Sequence, residues 1–144
     1  MPLFWRKQMN VGHPEIDADH RYLIHLINTV ELVLRFPENP EHMKLAFDEL
    51  EHYAAEHFAR EEKIQISWGY SHYDEHQQEH RRLLESLSLL RRMMEKAMAE
   101  TSPPADALRE HSGYVTDFLR KWLVDHVMKT DLKMIDLFKG RKVF

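Results

Sequence analysis

Four long stretches of this chain repeat apolar residues at helical spacing, and each is fenced by a break that a helix does not cross. The first, about 18–36, aligns Leu23, Ile24, Ile27, Val30 and Leu34 on one face, with Asp17 as its N-cap, and "FPENP" ends it. Asn39 then caps a second helix over 41–65, with Pro40 at its opening and Met43, Phe47, Leu50 and Ala54 in register. "SWGYSHY" separates it from a third over 74–99, marked by Leu83, Leu87, Leu90 and Met94. After "TSPPAD", with Ser102 as cap and Pro103 at the first helical position, a fourth over 103–128 carries Leu108, Val115, Leu119 and Trp122. No strand-type alternation and no low-complexity run interrupts the pattern. The expected fold class is all-α: an up-down-up-down four-helix bundle in one domain over 1–144, with an N-terminal arm (1–16) and a short C-terminal helical tail (129–144).

Composition narrows the functions such a bundle can carry. A chain of 144 residues, 43% hydrophobic and 31% charged, suits one soluble globule with a real core. A net charge of -4 and the lack of any Lys/Arg block leave no footprint for nucleic acid. There is no cysteine, which excludes disulfides, thiolate zinc sites, iron–sulfur clusters and covalent haem attachment. "MPLFWRKQMNVGHPEID" lacks a secretory pattern, and no apolar run reaches the ~18 residues of a membrane span. A cytoplasmic protein is expected.

Histidine is the composition's anomaly, with 11 in the chain. In an up-down-up-down bundle the first helix starts, the second finishes, the third starts and the fourth finishes at one common end. His20 lies near the start of the first helix, and His57 and Glu61 near the end of the second. His76 and His80 open the third, and His126 closes the fourth. Residues four apart share a helix face one turn along, so all these groups should meet inside one end of the core. Buried imidazoles and a carboxylate are costly unless paired. Metal ions remove that cost, and five histidines exceed the needs of one tetrahedral zinc. Imidazole and carboxylate without thiolate favour iron or manganese, with zinc and copper also compatible by ligand type. Asp131 follows His126 by five residues, about 140° off its face on a regular helix. It can join the cluster only where the helix bends or breaks.

At this point the residues resemble the hemerythrin family over nearly the whole chain. "IDADH" is similar to the family's first-helix motif, "HFAREE" to H-x-x-x-E, "HQQEH" to H-x-x-x-H and "WLVDHVMKTD" to W-L-x-x-H-x-x-x-x-D. The length and the lack of an attached domain resemble the single-domain bacterial members. The resemblance implies a non-haem di-iron centre. His76, His80 and His126 would hold one iron; His20 and His57 would hold the other, which keeps a position open. Glu61 and Asp131 would bridge, with an oxo or hydroxo group as third bridge, and O2 would bind at the open iron. By position, Leu23, Ile24, Phe58, Trp122, Leu123 and Val127 should line the oxygen pocket.

The function this implies is reversible dioxygen binding for transport, delivery or storage, without enzymatic turnover. Oxygen or redox sensing through the same site is the runner-up, followed by iron storage and by nitric oxide or peroxide detoxification. A monomer is expected, with an oxygen-consuming enzyme or a signalling protein as partner. The chain departs from the family's habits at Gln65, where Met is common, at Ser71, where Pro is common, and at Val127, where Ile is common. Gln65 should put an amide near one end of the site. Val127 lacks a methylene worth ~0.8 kcal/mol of burial, which should open the pocket slightly and speed autoxidation. Of the remaining groups, His13, His25, His42, His52, His72 and His111 read as surface or ordinary polar residues. Glu62 reads as a solvated charge, about 100° from Glu61 around the helix. Met93, Met94 and Met98 read as packing, and Trp122 as core that also closes the pocket. Two rival metal readings use fewer residues. "HQQEH" also fits an inverted zinc protease with Glu79 as general base, and Glu49-x-x-His52 is half of a ferritin-like pair of motifs.

Overall fold

The computed structural model describes residues 2–139. Four helices dominate: α1 (Pro14–Arg35), α2 (Glu41–Ser67), α3 (Tyr73–Glu100) and α4 (Pro104–Lys129). A 3-10 turn over Lys7–Met9 precedes them; a second, over Asp131–Met134, and the short α5 (Ile135–Phe138) follow. α1 packs on α2 and α4, and α3 packs on the same two, so the helices form a square, up-down-up-down bundle. No helix among the described residues is long and apolar enough to cross a membrane. The tail's last residues, 140–144, lie outside the described residues.

The core follows the stripes read from the sequence. Phe47, Leu50, Leu87, Met94, Leu108 and Leu119 are fully enclosed at its centre. Met98 is buried with Met94, whereas Met93 is 38% exposed and packs only at the margin.

Three helix starts differ from expectation. α1 begins a turn earlier, because Pro14 presets the first helical dihedral and His13 Nδ1 accepts from Glu15 N–H at 3.3 Å. Asp17 is therefore inside the first turn. Its carboxylate instead accepts from the N–H groups of Val11 (2.8 Å) and Gly12 (3.2 Å), which brings the arm onto the bundle. Gly12 sits at φ +98°, where a side chain would be strained. His13, expected among ordinary polar residues, is buried in this capping role. α4 starts one residue late, with Pro103 as its N-cap and Pro104 at N1; the Ser102 hydroxyl makes no cap. α2 starts at Glu41 with Pro40, rather than Asn39, at the N-cap position; Asn39, one residue earlier, supplies a side-chain acceptor, its Oδ1 taking the Glu41 N–H at 3.0 Å.

The arm and the tail both close the same end of the bundle. Asn28 grips the backbone of Leu3 twice, accepting from its N–H at 2.8 Å and donating to its carbonyl at 2.9 Å. Met9 is fully buried against the main core. Val11 and Ile16 meet Met134 and Phe138 in a second, smaller apolar cluster.

Candidate metal centre

All seven residues singled out as ligands converge at that closed end. His20 comes from the first turns of α1, and His57 and Glu61 from the last turns of α2. His76 and His80 come from the first turns of α3, and His126 from the last turn of α4. Asp131 joins because α4 ends at Lys129: the Thr130 N–H still bonds to His126 O (2.9 Å), and the chain then tightens into the 3-10 turn. The expected break in the helix is real. The side chains of Glu61 and Asp131 are wholly buried, and the five histidines are at most 4% exposed.

The two carboxylates divide the histidines into two groups. Glu61 Oε1 lies 2.7 Å from His76 Nε2 and 3.1 Å from His80 Nε2. Its other oxygen lies 3.1 Å from His57 Nε2 and 3.5 Å from His20 Nε2. Asp131 Oδ1 is 2.8 Å from His76 Nε2 and 3.0 Å from His126 Nε2, while Oδ2 is 3.0 Å from His20 Nε2. Each carboxylate thus turns one oxygen to the trio His76, His80 and His126 and the other toward the His20 side, which Glu61 shares with His57. In each group, the donor atoms of its histidines with Glu61 and Asp131 all lie within 4.8 Å of one another.

Short as these separations are, most are not hydrogen bonds. His20 Nε2, His57 Nε2, His76 Nε2, His126 Nε2, Glu61 Oε2 and both Asp131 oxygens are buried without a hydrogen-bond partner. Their lone pairs converge on shared space rather than on one another's protons, an arrangement that cations satisfy. The charges show the same tension. Burial disfavours protonated rings, yet Asp131 and Glu61 outweigh it and push His20 and His76 up to about 9. His126 rises against burial to about 10, chiefly through Asp131. Glu61 and Asp131, despite burial, are held well below the carboxylate range by the surrounding rings. The donor set, all imidazole and carboxylate, fits a metal centre.

The outward ring nitrogens are treated unequally. His57 Nδ1 donates to Asp19 Oδ2 at 2.9 Å. Asp19 is itself held by Arg60 Nε (2.9 Å), Arg60 Nη2 (3.0 Å) and the Tyr53 hydroxyl (2.6 Å). These donors keep its carboxyl below the usual range against the opposing effect of burial. His80 Nδ1 donates to Glu62 Oε2 at 2.7 Å. Glu62 is therefore not the solvated charge expected: it turns away from Glu61, but toward α3. Glu79 accepts from Arg82 at 3.1 Å and stops 3.9 Å from His126 Nδ1, which is buried without a hydrogen-bond partner. Glu49 and His52 are exposed on α2, away from the cluster.

The expected oxygen-pocket residues are all buried in the main core. Phe58 stacks on His80 (4.0 Å between centroids) and also touches His57, His126 and Trp122. Trp122 donates its indole N–H to Leu83 O at 2.9 Å. Leu23 and Ile24 lie one turn beyond His20, Leu123 one turn before His126, and Val127 directly after it. Gln65 is fully buried one turn beyond Glu61; it donates to Met134 Sδ at 3.2 Å and leaves its carbonyl oxygen unpartnered.

The sequence profile of the "Hemerythrin HHE cation binding domain" matches residues 11–138. The chain is also similar to three proteins named bacteriohemerythrin. That of Stenotrophomonas maltophilia (strain R551-3) is 25% identical over 138 residues, 96% of this chain and 82% of the relative. That of Clostridium acetobutylicum is 24% identical over 135 residues, 92% of this chain and 98% of the relative. That of Pseudomonas paraeruginosa (strain DSM 24068 / PA7) is 26% identical over 136 residues, 93% of this chain and 80% of the relative.

Proposed function

The chain belongs to the hemerythrin family, and from that premise we propose that it holds two iron ions and binds dioxygen reversibly, for delivery or storage. The observation that carries this reading is the two-sided use of Glu61 and Asp131, whose oxygens are shared between a group with three histidines and a group with two. His76, His80 and His126 would complete the surroundings of one ion. His20 and His57 would hold the other and leave it room for a small ligand. The iron pair would supply the electrons and the open position that dioxygen requires.

The chain supplies everything else. Asp19 fixes the His57 ring and Glu62 the His80 ring, so both present Nε2 inward. Phe58, Trp122 and the neighbouring aliphatic side chains exclude water, which disfavours escape of charged oxygen species and favours release of neutral dioxygen. The lining also supports carriage over turnover. Leu123 and Val127 have no acidic proton to donate, and the Trp122 N–H is already engaged.

Purified protein loaded with ferrous iron without air, exposed to oxygen and then flushed with inert gas tests the proposal. Oxo-bridged di-iron absorption that appears with oxygen and disappears on flushing, at about two irons per chain, is expected. One zinc per chain without colour overturns the di-iron reading. Immediate irreversible oxidation overturns the carrier role.

A further inference from the structure

Three of the five cluster histidines, His20, His126 and His76, keep an outward Nδ1 buried without a hydrogen-bond partner, and of these His76 lines a hollow at the surface. Its Nε2 faces Glu61 and Asp131, but its Nδ1 is buried with no hydrogen-bond partner, although the residue is only 2% exposed. The ring forms part of the wall of a hollow of about 170 Å³ between the start of α3 and the turn after α4. The Tyr70 hydroxyl, another buried polar atom without a partner, belongs to the same wall. His20 Nδ1 is also unpartnered, but it lies beneath the arm, with the Trp5 ring 5.9 Å from its own. The larger groove between α1 and α4, lined by Arg35, Arg109 and Arg120, contains none of the seven ligand residues.

The hollow is furnished with metal-binding side chains in sequence from solvent inward. Glu75 and His76 lie three and four residues after His72, and Glu79 lies four and three after them, which places the four on one strip at the start of α3. His72 and Glu75 are exposed, with His72 Nδ1 3.9 Å from Glu75 Oε2. Glu79 is a third exposed and reaches to within 3.9 Å of His126 Nδ1. On the same wall Arg82 is engaged by Glu79, and the exposed Lys133 provides the one cation of the hollow with no ion pair among the described residues.

We propose that this hollow is the port through which metal reaches the centre. His72 and Glu75 take up the hydrated cation at the surface, and Glu79 and His76 conduct it inward to the three-histidine side. The inference rests on the metal-centre reading, and rate and final occupancy separate the two. The experiment mixes metal-free protein anaerobically with ferrous iron in a stopped-flow instrument and follows uptake, then measures iron per chain at equilibrium. The double variant His72→Ala/Glu75→Lys should slow uptake about tenfold, and Lys133→Glu should speed it several-fold. Both effects should shrink as salt rises, which a purely structural defect would not do. Two irons per chain taken up at unchanged rates in these variants overturn the port and leave the centre standing. Faster uptake in Asn28→Ala, which frees the arm over His20, with the α3 variants neutral, moves access to the arm side and also overturns it. Failure of the unaltered protein to bind iron overturns both readings.

Discussion

Asp19 takes four hydrogen bonds from three residues, and no other buried carboxylate among the described residues is so committed to holding a single ring. An amide there would offer one acceptor and two unwanted donors to the same crowd. Asp19→Asn should therefore lower affinity for the ion on the His20/His57 side about 10- to 100-fold. The other ion should be nearly untouched, so a chelator competition titration should resolve into two unequal steps. Gln65 is the opposite case, a buried amide whose oxygen no donor reaches. Gln65→Met removes that uncompensated group at similar volume and should stabilise the metal-free protein by about 1 kcal/mol in urea unfolding. His57 with Glu61 and His76 with His80 were legible because each pair obeys the spacing of one helix, and His20 and His126 because the topology brings their helix ends to the same place. Asp131, off the face of His126, was legible only through the resemblance to the family. Asp19 and Glu62 were not, because their work lies between helices. Asp19 on α1 serves a ring on α2, and Glu62 on α2 serves a ring on α3. A single helical wheel shows only that such a residue points away from its neighbour.

At the level of elements, the junction after α4 decides whether the centre exists. Asp131 reaches both histidine groups only because the helix stops at Lys129 and the next residues tighten into a 3-10 turn. Met134 pins that turn, fully buried among Val11, Ile16 and Phe138. Met134→Ala should cost about 2–5 kcal/mol through the cavity it leaves. It should also weaken metal binding beyond what lost stability explains, as Asp131 loses its anchor; isothermal titration of folded variant at low temperature separates the two effects. The helices themselves were legible from apolar spacing, and their ends less so. A proline two residues after a glycine moved the start of α1 a full turn, and the paired prolines at 103 and 104 left the start of α4 ambiguous by one residue. The arm's path was not legible at all. It depends on Asn28 and Asp17 gripping backbone groups, and backbone groups carry no sequence signature.

Across the whole molecule, the buried titratable side chains are concentrated where the arm and the tail close the bundle. This sets a pH dependence with a definite sign. Without metal, His20, His76 and His126 titrate in the folded state at about 9 to 10, above their ordinary 6.5. The stability they contribute is complete below 6.5 and is lost as pH rises through that range. Glu61 and Asp131 are depressed below 4.5 and 3.8, so their contribution is present above those values and fades as pH falls. Metal-free protein should therefore be most stable between about pH 4.5 and 6.5 in a melting-temperature series. Metal binding near neutrality must expel the ring protons. Titration in two buffers of different ionisation heat should reveal proton release, and apparent affinity should climb with pH toward 9.

Asp131 is the last of the seven ligand candidates in chain order, and it serves both histidine groups at once. A nascent chain that has emerged through α4 already holds every residue of the main apolar core, which ends at Val127. It still lacks an oxygen on each side of the centre. The bundle can thus form ahead of its metal site, and maturation waits on one short turn made after the last long helix.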